Sequence, residues 1–143
     1  MPLDKKDYLI INILKQNSRL AIRDAAKKTG IRPSTVHERI KKLTKEGVIE
    51  KFTIKLNNRA VGENFIVFML IKGGTTEYIN TKIINNEKVR DIFGITGEYD
   101  LLLKLKFKDV EEFNKFLIKF RKEQKGVRQT YTMVTTADIK EEV

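Results

Sequence analysis

The sequence has no cysteine and no tryptophan, and His37 is its only histidine. The absence of cysteine excludes disulfides, thiolate metal sites and cysteine nucleophiles. A single histidine leaves little material for a zinc site or a histidine-based catalytic triad, and the sequence carries no phosphate-binding glycine motif. We therefore expect a protein that binds no metal, needs no cofactor and is not an enzyme.

Long hydrophobic runs are also missing. The longest, Phe65 to Ile71, is far too short to cross a bilayer, which takes about 20 residues. Residues 1–17 include acidic side chains and lead into no small-residue cleavage site, so they do not have the layout of a signal peptide. These absences predict a cytoplasmic protein without a membrane partner.

Acidic residues are scarce in the first half of the chain. Residues 1–63 contain 15 lysines and arginines against 7 acids, a net charge of +8, whereas residues 64–143 contain 14 against 12, a net charge of +2. A cationic module joined to a nearly neutral one predicts that the first binds a polyanion. The alternative is that these lysines serve only solubility.

The first two predicted helices lie within residues 1–30. Asp4 can cap the first, in which Ile10 and Leu14 recur at helical spacing. The second runs from about Ala21 to Thr29, and Gly30 supplies a residue that tolerates the left-handed backbone just past a helix end. These features therefore predict two helices, the second of which ends in a tight turn.

A third helix begins at Pro33, and its residues Val36, Ile40 and Leu43 form one inward stripe. Together with the second helix and its glycine turn, this helix indicates a helix-turn-helix. Small hydroxyls near its start can approach base edges while its lysines contact phosphates; the alternative is an ordinary surface helix. Opposite the stripe and on its flanks lie Ser34, Thr35, His37, Glu38, Lys41, Lys42 and Lys45, of which His37 is given no chemistry of its own.

The stretch "EGVIEKFTIKLN" follows the third helix. Gly47 ends that helix, and Phe52, Ile54 and Leu56 then alternate as in an extended segment of a winged helix. We therefore expect a winged helix-turn-helix DNA-binding domain over residues 1–50 and an extended linker strand over residues 51–63.

Residues 64–143 predict the order strand, helix, strand, strand, helix, strand. The strands lie in "NFIVFMLIKGG", "VRDIFGIT", "YDLLLKLKF" and the segment from Val127 to Val134. One helix lies in "TTEYINTKIINNEK", with Thr75 or Thr76 as its cap and Ile79 and Ile83 inward. The other opens at Asp109 and closes at Gly126, with an inner face of Val110, Phe113, Leu117 and Phe120. This order is that of a ferredoxin-like βαββαβ domain, so the chain is α+β.

Both faces of the strand from Phe65 to Ile71 are apolar. The two helices can cover one face of the sheet, and leaving the other in water would expose a hydrophobic patch. Domains of this size also bury only about 60% of the surface that their unfolded chains expose. We therefore expect a homodimer formed by packing sheet against sheet.

The stretches "LDKKDYLIINIL", "AAKKTGIRPSTVHERIKKLTKEGVI" and "TGEYDLLLK", with Arg19, resemble the Lrp/AsnC family of leucine-responsive and asparagine-responsive transcription regulators over nearly the whole chain. The resemblance implies a sequence-specific regulator that binds double-stranded DNA, forms dimers and assembles to tetramers, octamers or larger. Arg32 stands where the family usually has a capping serine, so capping is expected to fall to water or Ser34, and Arg32 is expected to contact phosphate.

The resemblance also implies a small-molecule site between dimers, which would take an amino acid as effector. Asp100 can accept from an ammonium group, and backbone donors near Gly97 suit a carboxylate. The alternative is that Gly97 and Glu98 form a plain hairpin turn with Asp100 as a structural acid. The implied effector residues are Gly97, Tyr99, Asp100, Thr130 and Thr132.

Two other functions remain open at this point. An architectural DNA-compacting protein would rely on backbone charge and DNA deformability rather than base readout. A stand-alone metabolite-binding protein would use only the ferredoxin-like domain, and the +8 charge of residues 1–63 would then have no role.

Overall fold

A computed structural model describes residues 2–73 and 81–143 and divides the chain between Lys55 and Leu56. The first unit is Met1–Lys55 together with Val143, and the second is Leu56–Glu142. The division lies inside residues 51–63. The assignment of that segment as a linker stays a prediction.

The first unit contains α1 (Lys5–Gln16), α2 (Ile22–Thr29) and α3 (Pro33–Lys45). At the start of α1 the backbone N–H of Asp7 donates to Asp4 Oδ1 at 2.9 Å, and the backbone N–H of Asp4 donates to Asp7 Oδ2 at 3.0 Å. This reciprocal pair satisfies two helix-terminal donors. Gly30 ends α2 with φ of 72°, where a side chain would be strained. The predicted helices and their boundary residues are confirmed.

The three helices enclose one hydrophobic core. Val36 and Leu43 of α3 are fully buried, and Ile40 is half-buried beside them, as predicted. Burying a side chain such as Leu43 contributes roughly 1.5 to 3 kcal/mol. The stripe therefore fixes which side of α3 faces solvent. The buried residues of this core are Ile10, Leu14, Ala25, Ala26, Ile31, Val36 and Leu43.

The predicted linker strand does not join a sheet. Residues 51–57 have no regular secondary structure, and residues 58–62 form a turn. Phe52, Ile54 and Leu56 are at least half exposed, and no strand within residues 2–73 and 81–143 pairs with them. The apolar alternation is present, but in place of a strand ladder this segment has a hydrogen bond from the hydroxyl of Ser18 to the carbonyl of Thr53 at 3.4 Å.

The second unit is built on a four-stranded sheet in the order β2-β3-β1-β4, and every neighbouring pair is antiparallel. The strands are β1 (Phe65–Gly73), β2 (Val89–Gly94), β3 (Leu101–Phe107) and β4 (Val127–Val134), and the helices are α4 (Thr81–Ile84) and α5 (Val110–Glu123). This topology confirms the ferredoxin-like prediction. The predicted cap residues Thr75 and Thr76 and the inward Ile79 lie outside the described residues.

Helices cover one face of this sheet. Asp109 caps α5 by accepting from the backbone N–H of Glu112 at 2.9 Å, as predicted. Two details of α5 differ from expectation. Val110 is 58% exposed, because at the first helical position its side chain lies beyond the core. The helix ends at Glu123, three residues before Gly126, and Gln124 is its C-terminal cap residue. Core residues are Val67, Met69, Ile71, Ile83, Leu103, Leu105, Phe107, Phe113 and Phe120.

The opposite face, here called the open face, carries alternate residues of the same strands, including Phe68, Leu70 and Leu102. The segment after β4 reaches its edge, where the backbone N–H of Thr135 donates to the carbonyl of Ile66 at 3.0 Å. Further along, Glu141 contacts lysines of β3. The polar C-terminal segment is therefore held by the second unit.

No helix in the described residues is long and apolar enough to cross a membrane.

Candidate DNA-binding and effector sites

The outward side of α3 carries the residues predicted to contact DNA. Because Val36 and Leu43 anchor the helix in the core, the residues half a turn away face solvent. Thr35 is half-buried at the edge of this surface. The exposed members of the predicted set are Arg32, Ser34, His37, Glu38, Lys41, Lys42 and Lys45.

The lysines of this surface keep their charges available. Within the described residues, Lys41, Lys42 and Lys45 form no salt bridge. An unpaired, exposed ammonium group can neutralise a phosphate without first breaking an internal ion pair. The outward side of α3 is therefore suited to a polyanion.

The start of α3 is open to an incoming ligand. Arg32 occupies the cap position with ψ of 140°, and no side chain in the described part of the chain makes a capping hydrogen bond there. Ser34 therefore does not cap the helix in this structure, although that was one of the two predicted alternatives. The first-turn N–H groups carry partial positive charge, which favours a phosphate oxygen nearby.

Arg39 is a cation of α3 that sequence reasoning did not assign. Its guanidinium donates to Asp4 and, at 3.1 Å, to Asp7, so it ties α3 to the start of α1. The Arg39 hydrogen bond, followed by that from the backbone of Asp7, lowers the pKa of Asp4 to about 2. Arg39 therefore has a structural role, whereas the neighbouring lysines face outward. The aspartates lie 32 and 35 residues away, so no local pattern indicated the pairing.

The predicted effector loop is shaped by Gly97 and Asp100. Gly97 has φ of 113°, a conformation that favours glycine. Asp100 Oδ2 accepts from the backbone N–H of Gly73 at 2.8 Å, and the backbone N–H of Asp100 donates to the carbonyl of Ile71 at 2.8 Å. Asp100 thus fixes the start of β3 against the end of β1. This structural role is the alternative that the sequence left open.

Tyr99 and the two predicted effector threonines lie on different faces of the sheet. The ring of Tyr99 lies 6.4 Å from that of Tyr131, which β4 places on the open face. Thr130 and Thr132 pair with Ile71 and Met69 of β1, so they lie on the helix-covered side. The single chain therefore separates Tyr99 from the two threonines.

Two family models together match most of the chain. Residues 3–50 match a winged helix-turn-helix DNA-binding domain, and residues 65–143 match the Lrp/AsnC ligand-binding domain. The first match contains α1 to α3, and the second contains the four-stranded sheet with its helices. Each match thus coincides with one architectural part of the structure.

Curated relatives and solved structures agree with these matches. An uncharacterised helix-turn-helix-type transcriptional regulator of Pyrococcus furiosus is 40% identical over 99% of this chain and 97% of its own length. The regulator FL11 of the same organism is 38% identical over 92% of this chain and 88% of its own.

The fold itself recurs in solved structures. A transcriptional regulator of Neisseria meningitidis, solved as a complex with L-methionine, has a TM-score of 0.88, is 24% identical and covers 98% of this chain and 94% of its own. LrpC of Bacillus subtilis has a TM-score of 0.85, is 25% identical and covers 99% of this chain and all of its own. With a DNA-binding winged helix-turn-helix followed by this ligand-binding domain, the chain belongs to the Lrp/AsnC family of transcription regulators.

Proposed function

We propose that the protein is a cytoplasmic regulator that reads duplex DNA through α3, acts as a homodimer or larger assembly, and responds to an amino acid. One observation carries the DNA-binding part: opposite the buried Val36 and Leu43, α3 exposes Ser34 and three lysines that form no salt bridge with the described residues. A helix of this composition fits a major groove. We propose no catalytic activity, since a transcription regulator does not require one.

Two groups of residues on α3 have different roles. Ser34, Thr35 and Glu38 lie near the start of the helix and select the sequence, each by roughly 1 to 3 kcal/mol where it reads a base. Lys41, Lys42 and Lys45 contact phosphates, aided by Arg32 at the helix start, and contribute about equally to all sequences. In a dimer, the two copies of α3 meet half-sites about one helical turn apart, or a multiple of it.

We expect the double variant Lys42→Ala and Lys45→Ala to weaken binding to every duplex, because it removes two cations that neutralise phosphates in each protomer. The slope of log K against log salt should become shallower by about 0.9 for each phosphate that is no longer neutralised. Fluorescence anisotropy at several salt concentrations measures both quantities. A matched control is Lys108→Ala with Lys140→Ala, which removes the same charge from exposed positions in the second unit.

Unchanged affinity and salt slope in the α3 variant would contradict the groove assignment. Footprints on fragments selected from the source genome test the mode of binding. Discrete protection in phase with the DNA helix supports a sequence-specific regulator, whereas uniform coverage would indicate a DNA-compacting protein.

The open face supports the dimer. Phe93 is 59% exposed and Tyr131 is 54% exposed there, beside the half-buried Phe68, Leu70 and Leu102. These side chains form an apolar surface on strands whose other face is already packed by helices. A second copy of the same face would remove it from water. Further association of dimers gives the tetramers, octamers or larger assemblies that the resemblance implies.

The effector site requires more than one chain. Since one chain separates Tyr99 from Thr130 and Thr132, residues from two dimers would complete a site at Gly97 and Asp100. Asp100 provides a carboxylate for an ammonium group, and the threonines provide hydroxyls. The L-methionine bound by the similar Neisseria regulator indicates the class of ligand to test first.

We expect an amino acid to release heat on binding the wild-type protein and to bind at least about 10-fold more weakly to Asp100→Asn. Asparagine keeps an oxygen for the N–H of Gly73 and removes only the charge. Calorimetry with the common amino acids, followed by DNA titrations, provides the measurement. Asp109→Asn is the control, because asparagine caps α5 as well as aspartate does.

Basal DNA binding should survive in both of these variants, since Asp100 and Asp109 lie outside the winged helix-turn-helix. If wild type and Asp100→Asn release equal heat, or if no amino acid releases heat with wild type, this loop is not an effector site. It would then be a structural turn.

A further inference from the structure

The small net charge of the second half conceals an uneven distribution. Residues 115–128 contain six lysines and arginines and one acid, a net charge of +5. The other residues of 64–143 contain eight lysines and arginines against eleven acids, a net charge of −3. One end of α5 and the turn before β4 are therefore strongly cationic within a domain that is otherwise acidic.

The six cations all lie at the surface. Phe113 and Phe120 pack into the core, so positions half a turn away point outward. Lys115, Lys119 and Lys122 share this outward side and span about 10 Å along the helix axis. We call the set the α5 basic surface; its exposed members are Lys115, Lys119, Arg121, Lys122, Lys125 and Arg128.

Little internal charge balances this surface. Glu123 is the one acid within residues 115–128, and it lies 3.9 Å from Lys119 and 4.0 Å from Lys82. Both lysine side chains are more than 70% exposed, and pairs of this kind contribute little. Lys115 and Lys122 form no salt bridge within the described part of the chain.

The composition of the surface favours nucleic acid over a protein partner. Protein interfaces usually centre on buried aromatic or aliphatic anchors. The large hydrophobic side chains exposed on α5 are Val110 and Ile118, and of these Ile118 alone lies among the cations. The surface has charge but no apolar centre and no row of small hydroxyls, which suits phosphates rather than base edges.

We propose that the α5 basic surface binds the phosphate backbone of DNA that flanks the sequence contacted by α3. This inference rests on the proposed DNA-binding function. Once α3 holds one part of a duplex, the flanking DNA has a high effective concentration, so weak phosphate contacts add affinity. The binding is independent of flanking sequence and depends steeply on salt. The second unit thereby extends the DNA-binding footprint beyond the winged helix-turn-helix.

The test uses the full-length protein and two duplexes. The short duplex contains only a sequence selected from genomic fragments, and the long duplex adds random flanks. In the variant Lys115→Ala with Lys122→Ala, alanine preserves the helix. We expect affinity for the long duplex to fall about 10-fold and its salt slope to become shallower by about 2 per protomer, with the short duplex unaffected.

The control is again Lys108→Ala with Lys140→Ala, which should bind both duplexes like wild type. Equal losses in the two double variants would show a general charge effect and overturn the inference. So would equal losses on both duplexes, or a change of assembly state in sedimentation, which would make the partner another copy of the chain. Wild-type protein that binds neither duplex would contradict both the proposed function and this inference. A variant that binds the long duplex like wild type would contradict this inference alone.

Discussion

Glu141 is the residue on which the charge balance of the open face depends. Its carboxylate accepts from Lys104 Nζ and Lys106 Nζ, each at 2.9 Å, and from the amide of Asn58 at 3.0 Å. Burial opposes the charged form, but these three donors outweigh it and hold the pKa of Glu141 at about 2. Two lysines on the face of a sheet are tolerated because this acid reaches both, while Asp91 also pairs with Lys104 at 2.7 Å.

We expect Glu141→Gln to lower the free energy of unfolding by about 1 to 3 kcal/mol at neutral pH, because both lysines lose a charged acceptor. The folded pKa of about 2 lies below the ordinary 4.5, so the charged carboxylate stabilises the fold above about pH 4.5. That contribution is lost as the pH falls towards 2. The gap between variant and wild type should therefore narrow over this window in urea titrations.

Glu142→Gln is the matched control, since Glu142 is exposed beside Glu141. It should behave like wild type at every pH. A Glu141→Gln variant whose deficit does not change with pH would contradict the ionic account of this contact.

Sequence reasoning at the residue scale succeeded where the partner is local. Asp4, Pro33 and Asp109 were predicted at helix starts because a cap acts within three residues. It missed contacts between distant residues. The polar C-terminal segment had no predicted role, since Lys106 lies 35 residues before Glu141, and Asp100 was not assigned to the N–H of Gly73. Local patterns do not contain such pairings.

Among the elements, α3 divides its cations between two tasks. Arg39 faces the start of α1 and holds Asp4 and Asp7, while Lys42 lies exposed on the outward side. The same helix thus contributes one cation to the fold and several to the DNA-binding surface. Helical periodicity separates the two groups, because the outward side lies about half a turn from the buried stripe.

We expect Arg39→Met to lower the melting temperature by a few degrees, because Asp4 and the buried Asp7 lose their partner. Methionine retains the apolar stem, so the loss is mainly ionic. Lys42→Met should instead leave the melting temperature unchanged and weaken DNA binding. Calorimetric melting and anisotropy on both variants measure the contrast. Arg39→Met with wild-type stability and poor DNA binding would instead place Arg39 on the DNA.

The elements that form from local periodicity were predicted with little error, as Val127–Val134 and the three helices of the first unit illustrate. The strand expected over residues 51–63 did not form, because a strand needs a neighbouring strand and the described residues supply none there. Val110 was assigned to the core on spacing alone, but at the first helical position of α5 its side chain is 58% exposed. The effector residues could not be placed from sequence, since Tyr99 packs near Tyr131 on the open face while the two threonines lie on the helix-covered side.

For the whole molecule, the open face determines the assembly. We expect Phe93→Lys to shift the protein towards monomer at micromolar concentration, since a buried unpaired ammonium would cost several kcal/mol at a dimer interface. The dissociation constant should rise at least about 100-fold. Sedimentation velocity measures it. Ile118→Lys is the control, because Ile118 is also exposed but lies on α5, on the opposite side of the sheet. A dimer that persists in Phe93→Lys would exclude pairing through this face.

The order of synthesis on the ribosome decides when the second unit can close. β1 lies between β3 and β4, so until β4 is made β1 is an edge strand with unpaired backbone groups. Lys106 is likewise made 35 residues before Glu141, the acid that it binds. A chain stalled or cut after β3 would therefore present a long apolar edge and an unbalanced cation, and such edges favour aggregation. Completing β4 and the segment after it turns an aggregation-prone nascent chain into a subunit ready to assemble.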